Sequence, residues 1–250
     1  MLPPGSTIGI LGGGQLGRML AVAAAQLGFR VHVYAPDRSS VAADVAAHHV
    51  QAAWDDEPRL AAFAAACDAV TIEFENVPVD TVRFLAGHVA VRPGAAALEI
   101  AQDRLAEKQF VAGLGGRPAP FVPVPDRAAL DAALDNIGAP AILKTVRMGY
   151  DGKGQALVRS EDETIRAFLQ FGAAPAILED FVDFSYEVSV VAARGRDGAF
   201  AAFDPPKNEH ENHILRRSTV PSPLGDDSIA EAIRIARKIA DKLDYVGVLG

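Results

Sequence analysis

The stretch Leu143-Lys144-Thr145-Val146-Arg147-Met148-Gly149-Tyr150-Asp151-Gly152-Lys153-Gly154-Gln155 decides how the chain is read. Ala141-Ile142-Leu143 follows Pro140 as a short apolar run, which predicts a buried strand holding the Lys144 ammonium at a fixed point. Gly149, Gly152 and Gly154 then let the backbone bend and bring its N–H groups close to an anion, because glycine adopts positive φ without steric cost. A strand-borne lysine followed by a glycine loop with its own lysine, Lys153, is chemistry suited to cradling phosphates. It is not a Walker A loop: Gly152-Lys153 is followed by Gly154, where a P-loop needs Ser or Thr, and no helical pattern starts there. These residues alone also allow a plain hairpin with Lys153 as a solvated charge.

Working outward, Phe121–Val124 reads as a strand, 126–136 as a helix capped by Asp126, 156–158 as a strand, 160–170 as a helix and 176–179 as a further strand. Together they make a small α+β unit, and a phosphate loop inside such a unit suggests a lid at about 113–178. Ile177-Leu178-Glu179-Asp180-Phe181-Val182 runs from apolar to acidic and aromatic residues, ahead of Ser185-Tyr186-Glu187-Val188. Such a segment could offer backbone groups to a purine edge and Glu187 to ribose hydroxyls, or it could be a sheet edge with exposed carboxylates. His210 and His213 lie in a polar run without zinc-ligand spacing, so a nucleotide-facing loop is the better reading. The span 226–243 is an amphipathic helix whose stripe Ile229, Ile233, Ala236 and Ile239 reads as core.

The first hundred residues alternate differently. Strands at 7–11, 30–34, 68–74 and 88–91 are separated by helices at 18–27, 58–66 and 79–86, which predicts a parallel sheet covered on both faces, with ligands outside the strand C-termini. Gly12, Gly14 and Gly17 satisfy G-x-G-x-x-G, and Asp37 follows the second strand, so a dinucleotide-binding oxidoreductase is an open alternative. Glu73-Phe74-Glu75-Asn76 closes the strand from Asp68, with Glu73 and Glu75 expected on one face; Asn76 is either a ligand contact or the cap of the next helix. The domain boundary falls near residue 100, giving 1–100 and 101–250.

Composition bounds the partners. The chain has 250 residues, 50% of them hydrophobic, and a formal net charge of −8. An acidic surface argues against nucleic acid or anionic membrane, so any phosphate site must be built locally from Lys, Arg and N–H groups. The single cysteine, Cys67, excludes an internal disulfide and reads as a buried inert thiol. The one apolar stretch long enough to suggest a membrane span, 8–29, is broken by its glycines, Gln15 and Arg18; the expected location is the cytoplasm.

Gly12-Gly13-Gly14-Gln15-Leu16-Gly17-Arg18-Met19, Glu73-Phe74-Glu75-Asn76-Val77, Gln102-Asp103-Arg104, Lys144 with Gly149 to Gln155, Glu179 to Val182 with Glu187, and Tyr245-Val246-Gly247-Val248-Leu249 resemble, in order and over the whole chain, the N5-carboxyaminoimidazole ribonucleotide synthetase family of ATP-grasp enzymes. The resemblance implies an N-terminal Rossmann-like parallel-sheet domain followed by an incomplete ATP-grasp α+β domain with a small lid. It implies an ATP- and bicarbonate-dependent ligase that carboxylates the exocyclic amine of 5-aminoimidazole ribonucleotide through carboxyphosphate, releasing ADP and phosphate, and acts as a homodimer in purine biosynthesis.

By motif, Arg104 and Lys144 would contact ATP phosphates and the loop Gly149, Tyr150, Asp151, Gly152, Lys153, Gly154, Gln155 would close over them. Glu179, Asp180, Phe181 and Val182 would hold adenine, Glu187 the ribose, and His210 would face the nucleotide. Tyr150, Asp151 and Lys153 would serve the carboxylation site, and Gln15, Glu73 and Asn76 the imidazole ribonucleotide. Lys207 stands where the family often has Glu, and His213 where it often has Gly. The resemblance places the magnesium ligands beyond Gly250, so no Mg2+ ligand is assigned here. Another ATP-grasp ligase and a noncatalytic nucleotide-binding fragment remain as alternatives.

Overall fold

Four parallel strands, β1 (Thr7–Leu11), β2 (Arg30–Ala35), β3 (His48–Gln51) and β4 (Ala69–Ile72), form one sheet in the order β3-β2-β1-β4. The computed structural model describes residues 2–149 and 153–250. These divide into two units, Met1–Glu99 with Leu243–Gly247 and Ile100–Lys242 with Val248–Gly250. Helices α1 (Gln15–Gln26), α2 (Glu57–Ala65) and α3 (Val79–Ala86) and a 3-10 turn at Ala43–Val45 belong to the first unit, and α4 (Ala95–Ala101) runs across its end at Glu99. Side chains alternate across the sheet. Leu11, Tyr34 and Val70 pack with Leu60 and Phe63 of α2 and Val82 and Leu85 of α3, while Ile10, Val31 and Val33 pack with Ala21 of α1 and Ala42. Burial on both faces explains why β1 and β2 read as nearly continuous apolar runs. Within β1, a Cβ on Gly9 would stand 2.8 Å from the Phe63 ring and 2.9 Å from Cys67 Sγ, so glycine lets α2 and the chain after it pack close to the sheet.

The order β3-β2-β1-β4 puts the connections from β1 and β4 at the point where the strand order reverses, the usual ligand crevice of such sheets. Two expectations differ here. Residues 88–91 form no full strand; Val91 makes a single parallel bridge to Val70, and Pro93 two residues on cannot donate to extend the ladder. The strand from residue 68 ends at Ile72, so Glu73 and Glu75 lie in the turn beyond it rather than on one strand face.

The second unit opens with α5 (Arg104–Gly113), capped by Asp103, whose Oδ1 accepts from Leu105 N and Ala106 N at 3.0 Å each. Then β5 (Phe121–Val124), α6 (Ala129–Ile137), β6 (Ala141–Thr145), β7 (Gln155–Val158), α7 (Glu161–Gln170) and β8 (Ala176–Asp180) build an antiparallel sheet ordered β5-β8-β6-β7. One face is core: Val124, Leu143 and Leu178 meet Leu130 and Ala133 of α6 and Ala167 and Phe168 of α7. The opposite face carries Lys144, Gln155 and Glu179 among apolar neighbours such as Ile142 and Ile177.

The chain continues through β9 (Glu187–Val188), β10 (Ala192–Arg194), β11 (Phe200–Ala202), β12 (Lys207–Glu211) and β13 (Ile214–Thr219) to α8 (Asp226–Lys242) and β14 (Gly247–Leu249). These strands form the sheets β13-β12-β9 and β11-β10-β14. On α8 the residues fully buried are Ala236 and Ala240, whereas Ile229, Ile233 and Ile239 are half-buried.

Candidate active site

Register places the key charges of the second unit. In the β6–β8 pairing Lys144 lies opposite Ile177 and Glu179 opposite Ile142. Lys144 and Glu179 are therefore diagonal neighbours on the same, non-core face, within reach of long side chains. Lys144 Nζ donates to Glu179 Oε2 at 2.8 Å. The other oxygen, Oε1, lies 3.2 Å from Lys108 Nζ, close enough for an ion pair but off the axis of a hydrogen bond. Glu179 is only 4% exposed, so its charge requires such partners. Lys108 projects from α5 one turn after Arg104, and its Nζ also sits 5.6 Å from the centre of the Phe121 ring. Arg104, Glu107, Lys108, Val111, Pro118, Lys144 and Glu179 line a pocket of about 270 Å³.

Arg104 grips the start of the glycine loop. Its Nη1 donates to Thr145 O and its Nη2 to Gly149 O, both at 3.0 Å, and its backbone N donates to Val146 O at 3.0 Å. A Cβ on Gly149 would overlap the guanidinium, so the residue there must be glycine for this clamp to form. At the loop's far end Thr145 N donates to Gly154 O at 2.8 Å, and Gly154 has φ +65. The two ends of the loop are thus fastened together. Lys153 is exposed beside them, while Tyr150, Asp151 and Gly152 lie outside the described residues.

Beyond the loop, Gln155 Nε2 and His213 Nδ1 are 3.3 Å apart. His213 and Asn212 form the two-residue turn between β12 and β13, with φ 64 and 51. Positive φ at both positions is the hairpin geometry that glycine fills most easily. On β12, His210 Nδ1 lies 2.7 Å from Glu187 Oε2 of β9, so this expected pair is brought into contact. Lys207 pairs with Glu209 at 3.1 Å; that hydrogen bond, with the Arg217 charge, holds the Glu209 carboxyl below its ordinary range. Asp180 ends β8, and Phe181, Val182 and Phe184 follow as exposed apolar side chains, 42%, 48% and 58% exposed.

In the first unit Glu73 folds back over the glycine turn, and its Oε2 accepts from Gly14 N at 3.4 Å. A Cβ on Gly12 would overlap Glu73 Oε2, and one on Gly14 would stand 2.7 Å from Oε1. Ser40 closes the other side, donating from Oγ to Gly13 O at 3.1 Å. The Glu73 carboxylate packs directly on the glycine turn, so the absent side chains of Gly12 and Gly14 make room for Glu73. Asp37 is exposed in the bend after β2. Gln15 opens α1 and is exposed, and Asn76 is half-buried in the turn after β4. Asn76 is not the cap of α3, whose N-cap is Pro78.

Among the described residues no set of three His, Cys, Asp or Glu side chains is placed to hold a metal ion. Nor is any of their helices long and apolar enough to cross a membrane. Cys67 is half-buried, and burial followed by the Asp68 charge pushes its thiol up to about 12. Lys108 is the site residue that motif reading missed. Its four-residue spacing from Arg104 on a helix was the available signal.

A lysine-bearing antiparallel sheet beside a clamped glycine loop, preceded by a parallel-sheet unit, defines the class. The ATP-grasp domain model matches residues 109–250, and the ribonucleotide synthetase preATP-grasp domain model matches residues 5–102. The chain belongs to the ATP-grasp family. More narrowly, it is a member of the N5-carboxyaminoimidazole ribonucleotide synthase family of ATP-dependent ligases. It is 51% identical over 251 residues to the N5-carboxyaminoimidazole ribonucleotide synthase of Brucella melitensis biotype 1, covering 100% of this chain and 69% of that protein.

Among solved structures, the synthetase from Thermus thermophilus superposes with a TM-score of 0.87 at 45% identity, over 96% of this chain and 65% of that one. The Staphylococcus aureus synthetase, complexed with ADP, gives a TM-score of 0.92 at 35% identity, over 99% and 66%. The chain therefore spans about two thirds of the length of the relatives it matches.

Proposed function

We propose that this chain carries the nucleotide-binding part of an ATP- and bicarbonate-dependent ligase that converts 5-aminoimidazole ribonucleotide to its N5-carboxy derivative in purine biosynthesis, releasing ADP and phosphate. The observation that carries the reading is the Lys144–Glu179–Lys108 cluster beside a glycine loop whose ends are fastened by Arg104 and Thr145.

Two ammoniums against one buried carboxylate leave a net positive charge at the pocket, as a triphosphate needs. Lys144 and the loop N–H groups would hold the phosphates, and Arg104 would keep the loop in register while its remaining N–H groups face them. Phe181 and Val182 would pack on the adenine, with Glu179 and Asp180 ending the strand that presents them. Glu187, already oriented by His210, would accept from the ribose hydroxyls.

ATP would phosphorylate bicarbonate to carboxyphosphate, and the amine of the imidazole ribonucleotide would take up the carboxyl group. No enzyme-bound covalent intermediate is needed, because positioning and charge neutralisation do most of the work in phosphoryl transfer. Gln15, Glu73 and Asn76 are the residues we assign to the imidazole ribonucleotide, supported by their place at the strand-order reversal. Tyr150, Asp151 and Lys153 are assigned to the carboxylation step on motif alone. The segment 113–178 is assigned as the lid and residue 100 as the domain boundary.

Mg2+ would serve ATP as in related enzymes, but the described residues offer it no cluster, and no step is routed through it. A cytoplasmic homodimer is part of the same reading and rests on the family resemblance. The test is transfer of labelled bicarbonate into an acid-labile product that requires both ATP and 5-aminoimidazole ribonucleotide; label transfer independent of the ribonucleotide would overturn the assigned acceptor.

A further inference from the structure

Among the described residues Glu179 is the one charged residue that is buried. Its side chain is 5% exposed, yet it lies at the end of a strand whose neighbour supplies Lys144. A carboxylate so far from water costs several kcal/mol unless a counter-charge stays with it, roughly the penalty of an unpaired buried ion. If Lys144 were the only counter-charge, its ammonium would be committed to Glu179, and turning it toward a phosphate would strand that carboxylate. Lys108 removes the conflict. Its Nζ lies 3.2 Å from the other carboxylate oxygen, its side chain is 18% exposed, and the Phe121 ring flanks the ammonium. The geometry at Lys108, near but off-axis, leaves room for this contact to shorten when Lys144 moves.

We propose that Lys108 is a positioning residue for nucleotide binding: it is the standing counter-ion of Glu179, and so frees the Lys144 ammonium for the triphosphate. The inference rests on the nucleotide-site reading above and adds to it a residue that acts through Glu179 rather than on the nucleotide.

The charged groups lining the same pocket are Arg104, Glu107, Lys108, Lys144 and Glu179. Arg104 cannot substitute for Lys108, because two of its nitrogens are tied to the carbonyls of Thr145 and Gly149. Lys108 is therefore the cation available to Glu179 when Lys144 turns away, and its effect should vanish when Glu179 carries no charge.

The test is a double-mutant cycle on the gene product that carries this chain, with ATP affinity measured by titration calorimetry and folding by thermal unfolding. Lys108→Met in the parent background should weaken ATP binding by roughly tenfold or more, the scale expected for losing a partner of a buried charge. Lys108→Arg should restore most of it. In a Glu179→Gln background, whatever that change costs by itself, adding Lys108→Met should weaken ATP binding by less than about threefold.

An equal loss in both backgrounds would overturn the proposal by showing that Lys108 acts on the nucleotide directly. Unchanged ATP affinity in Lys108→Met, with only a lower melting temperature, would overturn it in favour of a purely structural role. If the parent protein itself bound no ATP, the nucleotide reading would fail first and this proposal with it, an outcome distinguishable from the other two by the parent titration.

Discussion

Lys144 Nζ and Glu179 Oε2 are 2.8 Å apart, joined across two antiparallel strands from positions 35 residues apart in the chain. The strand pairing makes the two residues diagonal neighbours, so the Lys144 ammonium stands at the pocket before a ligand arrives. Lys144→Met should reduce ATP-dependent turnover by about a hundredfold or more, on the scale of removing one pre-placed charge from a phosphoryl-transfer site. It should also lower stability by about 1–3 kcal/mol, because Glu179 keeps Lys108 but loses its direct hydrogen bond. Steady-state kinetics with denaturant unfolding of the same samples checks both; a large stability loss with unchanged turnover per folded molecule would make Lys144 structural.

Gly12 has φ +119 and abuts the Glu73 carboxylate. Gly12→Ala should therefore cost about 1–3 kcal/mol from backbone strain and push Glu73 off Gly14. Binding of 5-aminoimidazole ribonucleotide should weaken while ATP binding is retained. Titration calorimetry with each ligand separates the two, and equal weakening of both would count against the assignment of Glu73.

The contact between His210 Nδ1 and Glu187 Oε2 at 2.7 Å orients a carboxylate that is otherwise about half exposed. Glu187→Gln should raise the KM for ATP by roughly three- to tenfold with little change in kcat, the signature of lost uniform binding. A fall in kcat at unchanged KM would place Glu187 in the chemistry instead.

His32 sits in β2 opposite His48, its Nδ1 buried without a hydrogen-bond partner, and burial, then the charges of His48 and Arg30, lower its pKa. The folded state thus keeps this ring neutral at a pH where the unfolded chain, with a value near 6.5, already takes up a proton. The unfolded state binds more protons in that window, so stability falls as pH drops below about 6.5. His32→Thr should flatten the decline in melting temperature between about pH 7 and about pH 5. An unchanged slope would show that His32 does not carry the pH dependence.

Much of this was legible in the sequence where local signals were strong. The runs Thr7–Leu11, Ala141–Leu143 and Ala176–Leu178 are apolar because their strands are buried. The cap expected at Asp126 falls instead at Ala128, although Ala129 N donates to Asp126 Oδ1 at 3.0 Å. The strands from 192 to 219 were not legible; β13 is exposed at every position, so no inside–outside alternation marks it. The face shared by Lys144, Glu179 and Phe121 depends on strand register, which no local pattern reveals before the sheet is assembled. Glu73's return over Gly12 and Gly14 is a contact across some sixty residues, and the glycine fingerprint by itself also allows a dinucleotide site.

The most direct measurement is ADP release in bicarbonate buffer, with and without 5-aminoimidazole ribonucleotide, using the gene product that carries this chain. The ribonucleotide should stimulate release, and Lys144→Met should cut it by about a hundredfold or more. ATP binding with release indifferent to the ribonucleotide would contradict the assigned acceptor, and absence of ATP binding would contradict the nucleotide site itself.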